Sequence, residues 1–258
     1  MIVDCHTHIF EAGSGGPFNL PSRGDDLVRE MDAHGVDVSV VLPTPDSATN
    51  EFVQSECARW PDRLVPFYNP DFREPAKTVA VMESFYNSYG PKGLKIHPRL
   101  QDVTVEDSVV KEVLTWADER GVVVLFDVFM WGETVDNLLL HPLAYHKVAQ
   151  QFPNLKMILA HAGGYKQHEA FIVAKSNPNV YLDLSLSPVY FKGSSLASDC
   201  TMLCTRLPAG RVIYGSDFPF VWSADSLAAV RKILADCSEE ISREVMGLAM
   251  ARLLELSA

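Results

Sequence analysis

The sequence predicts an α/β protein: a single (β/α)8 barrel of the TIM type, with a C-terminal helix packed outside. Eight short apolar runs, rich in β-branched residues, alternate with eight amphipathic segments along the 258 residues. This length suits such a barrel, whose parallel strands are joined by right-handed crossovers. A doubly wound open sheet is the alternative, but no G-x-G-x-x-G motif follows the first strand.

The predicted strands are short and largely apolar. Residues 122–126 and 157–160 are almost continuously apolar, as expected for strands of a parallel sheet that helices cover on both faces. The eight predicted strands are residues 2–8, 36–42, 63–68, 92–97, 121–128, 155–160, 179–184 and 211–216.

The segments between the strands have the pattern of helices. Val109, Val113 and Ala117 recur at the spacing of one helix face. Gly35 and Gly121 stand just past two helices, where a C-cap glycine is common. The predicted helices are 24–34, 48–60, 75–88, 106–120, 139–151, 165–176, 195–206 and 224–236, with a last helix over 238–256 and a loop over the barrel mouth at 11–22.

Composition limits the classes of protein and partner. No linker, repeat or low-complexity tract divides the chain, so we expect residues 1–258 to form one domain. The net charge of −11 disfavours nucleic acid, because phosphate binding depends on Lys and Arg. No apolar stretch reaches the roughly 18–20 residues of a membrane span, and the chain begins directly with a strand rather than a signal peptide. We therefore expect a cytoplasmic protein with a small-molecule substrate, and the sequence is compatible with a homo-oligomer.

Two histidines at the end of the first predicted strand indicate a metal site. His6 and His8 are two residues apart, and such residues project to the same face of an extended strand. Their imidazoles would lie about 6–7 Å apart along the strand, close enough to share one ion. The alternative is a pair of ordinary polar histidines at a strand end.

Four further polar residues stand at later strand ends, where barrel enzymes place their chemistry. Singly, an Asp or His after a strand is more often a helix N-cap or a locally satisfied polar group. Together, residues so distant in sequence converge only if the strands form one barrel, which favours a metal centre. They are Lys95, Asp127, His161 and Asp217, after the fourth, fifth, sixth and eighth strands.

These motifs resemble those of the amidohydrolase superfamily, and more narrowly its "amidohydrolase 2" branch of metal-dependent TIM-barrel hydrolases and decarboxylases. The resemblance spans nearly the whole chain. It implies a divalent ion, zinc in the first place and manganese in the second. The motifs are His6-x-His8, Gly-Leu-Lys-Ile-His-Pro at 93–98, Ala-His-Ala-Gly-Gly at 160–164 and Gly-Ser-Asp-Phe-Pro at 215–219.

The resemblance implies metal ligands at His6, His8 and Asp217, with His161 beside the ion, and a further ligand on the fifth strand. There the family usually has histidine, but this chain has Asp127. Asp127 could be a ligand itself, since carboxylate oxygen suits Zn²⁺ and Mn²⁺. Alternatively, His161 is the third protein ligand and Asp127 orients it. The same residues are also compatible with a weak metal site that lacks the usual chemistry, or with a second metal bridged by a carboxylated Lys95.

Roles follow from this set. Asp217 would take the proton of a metal-activated water, His161 would donate to a developing oxyanion unless it is a ligand, and Lys95 would hold a substrate carboxylate. Arg99 is a second candidate for an anion contact, whereas His97 is predicted as a loop residue. Aromatic residues that follow strand ends favour an aromatic or cyclic carboxylate substrate; they are Phe10, Phe129, Trp131, Tyr165, Tyr190, Phe220 and Trp222.

The leading functional hypothesis is a metal-dependent hydrolase of an amidohydrolase type, which cleaves an amide, lactone or related C–N or C–O bond of a small molecule. A non-oxidative decarboxylase, a lyase acting on an aromatic or unsaturated acid, would use the same barrel and metal. The departure at Asp127 keeps a third hypothesis open, a barrel that binds a ligand without catalysis.

Overall fold

The computed structural model describes residues 1–45, 47–130 and 137–256. It confirms the predicted (β/α)8 barrel, and each of the eight predicted strands is present. Trp131, one of the aromatic residues predicted at the mouth, lies outside the described residues. In chain order the strands are β1 Val3–Thr7, β2 Ser14–Gly15, β3 Leu20–Pro21, β4 Val38–Val41, β5 Leu64–Tyr68, β6 Gly93–Ile96, β7 Val123–Phe126, β8 Lys156–Leu159, β9 Val180–Asp183 and β10 Val212–Ile213.

The eight barrel strands follow one another in the order β1, β4, β5, β6, β7, β8, β9, β10, and neighbouring strands are parallel. Backbone hydrogen bonds close the barrel between β1 and the segment after β10. The Cys5 amide donates to the Tyr214 carbonyl at 3.0 Å, and the His8 amide donates to the Phe218 carbonyl at 2.7 Å. All strand C-termini therefore face one mouth.

Helices surround the barrel, and most lie where the sequence predicts them. The helix predicted over 139–151 begins later because Pro142 disfavours a helical backbone at His141, whose ψ is 148°. The helices are α1 Gly24–His34, α2 Asn50–Cys57, α3 Pro75–Tyr89, α4 Pro98–Gln101, α5 Ser108–Arg120, α6 Ala144–Gln151, α7 Gln167–Ser176, α8 Ser187–Tyr190, α9 Ser195–Arg206, α10 Ser223–Leu234, α11 Glu239–Arg243 and α12 Ala249–Leu254.

The C-terminal helix lies outside the barrel, as predicted, and covers its N-terminal end. A π-helical turn, Glu244–Leu248, separates α11 from α12. Gly247 in this turn lies against the chain start, where an added Cβ would come within 2.6 Å of the Met1 carbonyl oxygen. Met250 and Leu254 of α12 join Val3 and the other apolar side chains inside the barrel. Apolar side chains thus fill this end of the barrel, and the predicted functional side chains lie at the opposite end, where the strands have their C-termini.

The loop predicted at 11–22 contains more structure than the sequence indicates. Strands β2 and β3 pair as a short antiparallel hairpin within it. Gly16 packs against the segment after β10, where a Cβ would lie 2.6 Å from the Pro219 carbonyl oxygen. Alternating hydrophobicity could not predict strands of two residues. Across the described ranges, no helix is both long and apolar enough to cross a membrane.

Candidate metal centre

The first and last barrel strands bring three metal-ligand atoms together at the mouth. Nε2 of His6 lies 3.5 Å from Asp217 Oδ1, and Nε2 of His8 lies 3.4 Å from the same oxygen. The three side chains are at most 7% exposed. Their ligand atoms all lie within 4.8 Å of one another. Two imidazoles and a carboxylate form a donor set that suits zinc.

Hydrogen bonds at the far side of each ring leave these Nε2 atoms available. Nδ1 of His6 donates to Asp183 Oδ2 at 3.0 Å, and Nδ1 of His8 donates to the Leu42 carbonyl at 2.9 Å. A neutral imidazole with its proton on Nδ1 presents a lone pair at Nε2. Both rings therefore fit a divalent ion on the side of Asp217.

The segment after β10 places Asp217 by a backbone that is unfavourable for most residues. Asp217 has a φ of 68°, in the left-handed region that non-glycine residues seldom occupy. Its amide donates to the His6 carbonyl at 2.8 Å. The neighbouring Ser216 amide donates to the buried carboxylate of Asp4 at 2.9 Å. Hydrogen bonds to β1 on both sides thus hold the carboxylate beside the two histidines.

Lys95, at the end of β6, lies inside the same cluster. It is 1% exposed, and its Nζ lies 3.5 Å from His6 Nε2. Burial lowers the pKa of Lys95, although the carboxylates of Asp127, Asp183 and Asp217 oppose this shift. Burial and the charge of Lys95 together lower the pKa of His6 to about 4, so its ring is neutral. Lys95, the predicted contact for a substrate carboxylate, therefore lies beside the predicted metal ligand His6.

Asp127 lies in a second group of side chains rather than among the three ligand atoms. Its Oδ2 is 3.1 Å from His161 Nε2 and 3.3 Å from His97 Nε2. Its Oδ1 accepts a hydrogen bond from the Phe129 amide at 3.2 Å. Among the residues that the structure describes, no metal-ligand group within 4.8 Å includes Asp127. In this geometry the fifth-strand carboxylate holds two imidazoles.

His161 connects the two groups of side chains. It follows β8 with a φ of 58°, and its ring centroid lies 4.8 Å from that of His6. Its Nδ1 donates to Ser185 Oγ at 2.9 Å. Burial alone would lower the pKa of His161, but the hydrogen bond to Asp127 and the nearby Asp217 carboxylate raise it. Both nitrogens of the ring therefore donate hydrogen bonds in this geometry.

The ionisation of the two acidic groups follows from these contacts. Burial would raise the pKa of Asp127, but the adjacent His97 and His161 hold it well below its usual range. Burial likewise opposes ionisation of Asp217, yet the adjacent rings of His8 and His6 keep its pKa low. Both side chains are therefore carboxylates, which a cation would stabilise further.

Sequence reasoning missed three residues of this centre. His97, predicted as a loop residue, is buried, and burial lowers its pKa to about 3. Asp183, the last residue of β9, and Ser185, two residues later, hydrogen-bond to the rings of His6 and His161. Available signals were the two-residue spacing from Lys95 to His97, which matches that of the first-strand histidines, and a lone carboxylate ending an apolar run at 180–183.

Aromatic side chains form part of the rim around the centre. Phe129 contacts the His161 ring edge-on at 5.6 Å, and Phe220 contacts the His8 ring at 5.7 Å. Tyr165 and Tyr190 are about half exposed and join through their hydroxyls at 3.0 Å. Phe10 lies behind Phe220, with ring centroids 6.1 Å apart, and Trp222 is partly exposed. Flat apolar surface thus borders both histidine groups.

A groove of about 1020 Å³ lies beside the mouth, between the loops that follow β1, β4, β5 and β6. Its walls include Phe10, Asn69 and Gln101 but none of the three ligand residues. Asn69 donates to the Lys95 carbonyl at 2.8 Å, so one wall of the groove supports the strand that carries Lys95. Arg99, the second predicted anion contact, is half-buried, and its Nε has no hydrogen-bond partner among the described residues.

The eight parallel strands and the helices around them place the chain in the class of TIM barrels, and its mouth carries a His-x-His pair, a buried lysine and an aspartate that could hold a metal ion. The chain belongs to the amidohydrolase family: the family model described as "Amidohydrolase" (Amidohydro_2) matches residues 3–256. This confirms the family that the sequence motifs indicated. No curated protein matches the chain in sequence.

Solved structures share the fold at low sequence identity. A TIM-barrel protein from Bordetella bronchiseptica aligns with a TM-score of 0.83 at 16% identity, covering 98% of both chains. An amidohydrolase from Burkholderia multivorans with bound zinc gives 0.73 at 15%, covering 100% of both. A 2,6-dihydroxybenzoate decarboxylase from Rhizobium gives 0.73 at 15%, covering 100% of this chain and 99% of its own. At these identities the likeness concerns the fold.

Proposed function

We propose that the protein is a metal-dependent hydrolase that cleaves an amide, lactone or related C–N or C–O bond of a small molecule. The observation that carries this proposal is the convergence of His6 Nε2, His8 Nε2 and Asp217 Oδ1 within 4.8 Å at the barrel mouth. Membership of the amidohydrolase family and the zinc in a structural neighbour support it.

The residues present fit a divalent ion, with zinc as the first choice and manganese as the second. His6, His8 and Asp217 would hold it. The His161 ring lies 4.8 Å from that of His6, and it would have to give up the Nε2 proton that it shares with Asp127 before it could add a further nitrogen. When bound, such an ion supplies Lewis acidity, which polarises a carbonyl group and lowers the pKa of water. The carboxylates of Asp127, Asp183 and Asp217 would offset the positive charge of the ion.

The protein's own groups supply proton transfer and orientation. Asp217 is ionised and lies at the ligand cluster, so it can accept the proton of the attacking water and return it to the leaving group. His161, a donor on both nitrogens in this geometry, can donate to the oxygen on which negative charge develops. Lys95 offers a buried positive charge for a substrate carboxylate.

Non-oxidative decarboxylation is the second candidate. The aromatic rim at Phe129 and Phe220 suits a flat aromatic acid, and one structural neighbour is a 2,6-dihydroxybenzoate decarboxylase. In this reaction Lys95 and His161 would bind the oxygens of the acid, and Asp217 would not need to deprotonate water. The role of Asp217 therefore distinguishes the two reactions.

Metal analysis and product detection test the proposal together. The purified protein is expected to hold close to one equivalent of zinc or manganese, measured by atomic emission after dialysis. The loaded protein is then given lactones and amides of cyclic carboxylic acids, and separately hydroxybenzoic acids, with acid release and CO₂ release as the two readouts.

Acid release without CO₂ from the first panel, lost in Asp217→Asn, supports hydrolysis. CO₂ release from the second panel would replace the hydrolase proposal by the decarboxylase. Less than a tenth of an equivalent of metal, unrestored by added zinc or manganese, would contradict both enzymes and leave the ligand-binding barrel.

A further inference from the structure

The motifs assign no role to the ends of three barrel strands, β4, β5 and β9, and the end of β9, the seventh barrel strand, carries a buried carboxylate. The last residue of β9 is Asp183, and Ser185 follows two residues later; both are completely buried. A buried charge is costly unless it is paired and hydrogen-bonded. The contacts of this carboxylate therefore indicate what it does for the site.

We propose that Asp183 and Ser185 are positioning residues, which fix the rings of His6 and His161 with their Nδ1 protons turned away from the metal centre. This inference rests on the proposed metal-dependent function, because its consequence is the presentation of Nε2 to the ion. Nothing in the motifs that predicted the centre assigns either residue.

The contact with His6 sets the tautomer of a predicted ligand. Asp183 Oδ2 lies 3.0 Å from His6 Nδ1. An ionised carboxylate only accepts hydrogen bonds, so Nδ1 carries the proton and Nε2 keeps its lone pair. That lone pair is on the side of Asp217, whose Oδ1 is 3.5 Å away. A carboxylate behind a metal-binding imidazole also raises its basicity as a ligand.

Ser185 extends the same control to His161. Its hydroxyl donates to Asp183 Oδ1, so its oxygen can only accept from the rings. It accepts from His161 Nδ1 at 2.9 Å and lies 3.1 Å from His6 Nδ1. Because the single hydroxyl proton is donated to Asp183, both rings carry a proton on Nδ1. The Nε2 atom of His161 is left to face Asp127, at 3.1 Å.

Backbone hydrogen bonds hold the pair in place. Asp183 Oδ1 also accepts from the His161 amide at 3.0 Å and from the Ser185 amide at 2.9 Å. The carboxylate therefore ties the segment after β8 to its own strand. These bonds lie at the start of the turn in which His161 has a left-handed backbone, with a φ of 58°.

The same atoms could be taken for a metal site, since His6, His161 and Asp183 bring ligand atoms within 4.8 Å of one another. Ser185 Oγ hydrogen-bonds to Asp183 and lies 2.9 and 3.1 Å from the two Nδ1 atoms. A hydroxyl thus satisfies all three groups. We therefore assign hydrogen bonding to this group and metal binding to the Nε2 side.

The variants Asp183→Asn and Ser185→Ala test the inference, with Ser187→Ala as the matched control. Ser187 is equally buried and also follows β9, but its hydroxyl donates to the His161 carbonyl rather than to a ring. Zinc affinity is measured by competition with a chromophoric chelator. Ring tautomers are measured in the metal-free, ¹⁵N-histidine-labelled protein by long-range ¹H–¹⁵N spectra, with His6 assigned by its loss in His6→Asn.

In the metal-free wild type we expect the Nδ1–H tautomer for His6. In Asp183→Asn this tautomer should become a mixture, and zinc affinity should fall by about 10- to 100-fold. Ser185→Ala should change the ¹⁵N chemical shift of His161 Nδ1. Ser187→Ala should leave the histidine spectra unchanged and zinc affinity within about twofold of the wild-type value. If Asp183→Asn does not fold, the spectra of Ser185→Ala decide.

Wild-type tautomers and affinity in both test variants would overturn the inference. So would an equal loss of affinity in Ser187→Ala, since that would indicate general packing. If the wild type binds no zinc, the proposed function fails, yet the metal-free spectra still show whether Asp183 sets the His6 tautomer.

Discussion

Asp217→Asn is the perturbation that most directly examines the proposed centre. The substitution keeps the shape of the side chain and removes its charge. Asp217 Oδ1 lies 3.5 Å from His6 Nε2 and 3.4 Å from His8 Nε2. The side chain is almost completely buried, so water screens the charge only partly. Its loss should therefore be felt mainly by a cation bound at the two nitrogens.

The expected magnitude follows from these distances. At about 3.5 Å, the separation of Oδ1 from the ring nitrogens, and an effective dielectric constant near 20, the carboxylate would attract a unit positive charge placed at those nitrogens by about 5 kcal/mol. Hydration of the free ion and the remaining amide oxygen offset part of this. We expect a net loss of about 2–4 kcal/mol in binding free energy, or roughly 30- to 1,000-fold in zinc affinity. Turnover should be abolished because the proton acceptor is also lost.

The assay is chelator competition, with circular dichroism to show that the variant is folded. Asp4→Asn is a matched control: Asp4 is equally buried, and its carboxylate accepts from the Ser216 and His6 amides. Both amides donate to the same oxygen, Asp4 Oδ1, and an asparagine keeps an amide oxygen there that accepts them. A folded Asp217→Asn protein with wild-type affinity, or an equal loss in Asp4→Asn, would refute this reasoning.

Three further predictions concern neighbouring groups. Asp127→Asn should leave zinc affinity within about threefold but reduce turnover, since Asp127 holds His161 rather than the ligand trio; metal content falling with turnover would make Asp127 a ligand. Tyr145→Phe should raise the free energy of unfolding by about 1 kcal/mol and the melting temperature by about 2–4 °C. The Tyr145 hydroxyl is buried without a partner among the described residues, and an unchanged or lower melting temperature contradicts this. Zinc at about 100 times its dissociation constant should add about 2.7 kcal/mol and raise the melting temperature by about 5–10 °C; His8→Ala should lose this increment, and an equal rise there would place the ion elsewhere.

Much of the fold could be predicted because its periodic signals are local. Strands such as β7 and β8 are continuous apolar runs, and helix α5 shows the spacing of one buried face. The start of α6 and the break between α11 and α12 were predicted less accurately. The start of α6 depends on Pro142, which moves the helix boundary by a few residues. The break depends on the contact of Gly247 with the chain start, which is a tertiary contact.

The candidate site shows the same division. His6, His8, Lys95, His161 and Asp217 could be named from their places at strand ends, and the structure brings them to one mouth. His97 could not be recognised as a partner of Asp127, because that contact joins two different strands. The competing roles for Asp127 differ by the direction in which one carboxylate points, and sequence spacing does not contain that direction.

The sequence by itself determined the alternation of strands and helices, the family, and the residue types available at the strand ends. These depend on local periodicity and on motifs that are contiguous in the chain. Only the tertiary structure decided which polar atoms face each other: Asp217 with the first-strand histidines, Asp127 with His97 and His161, and Asp183 behind His6. The physical reason is that a hydrogen bond or a ligand atom is defined within about 0.5 Å, a precision set by barrel closure and backbone turns far apart in the chain.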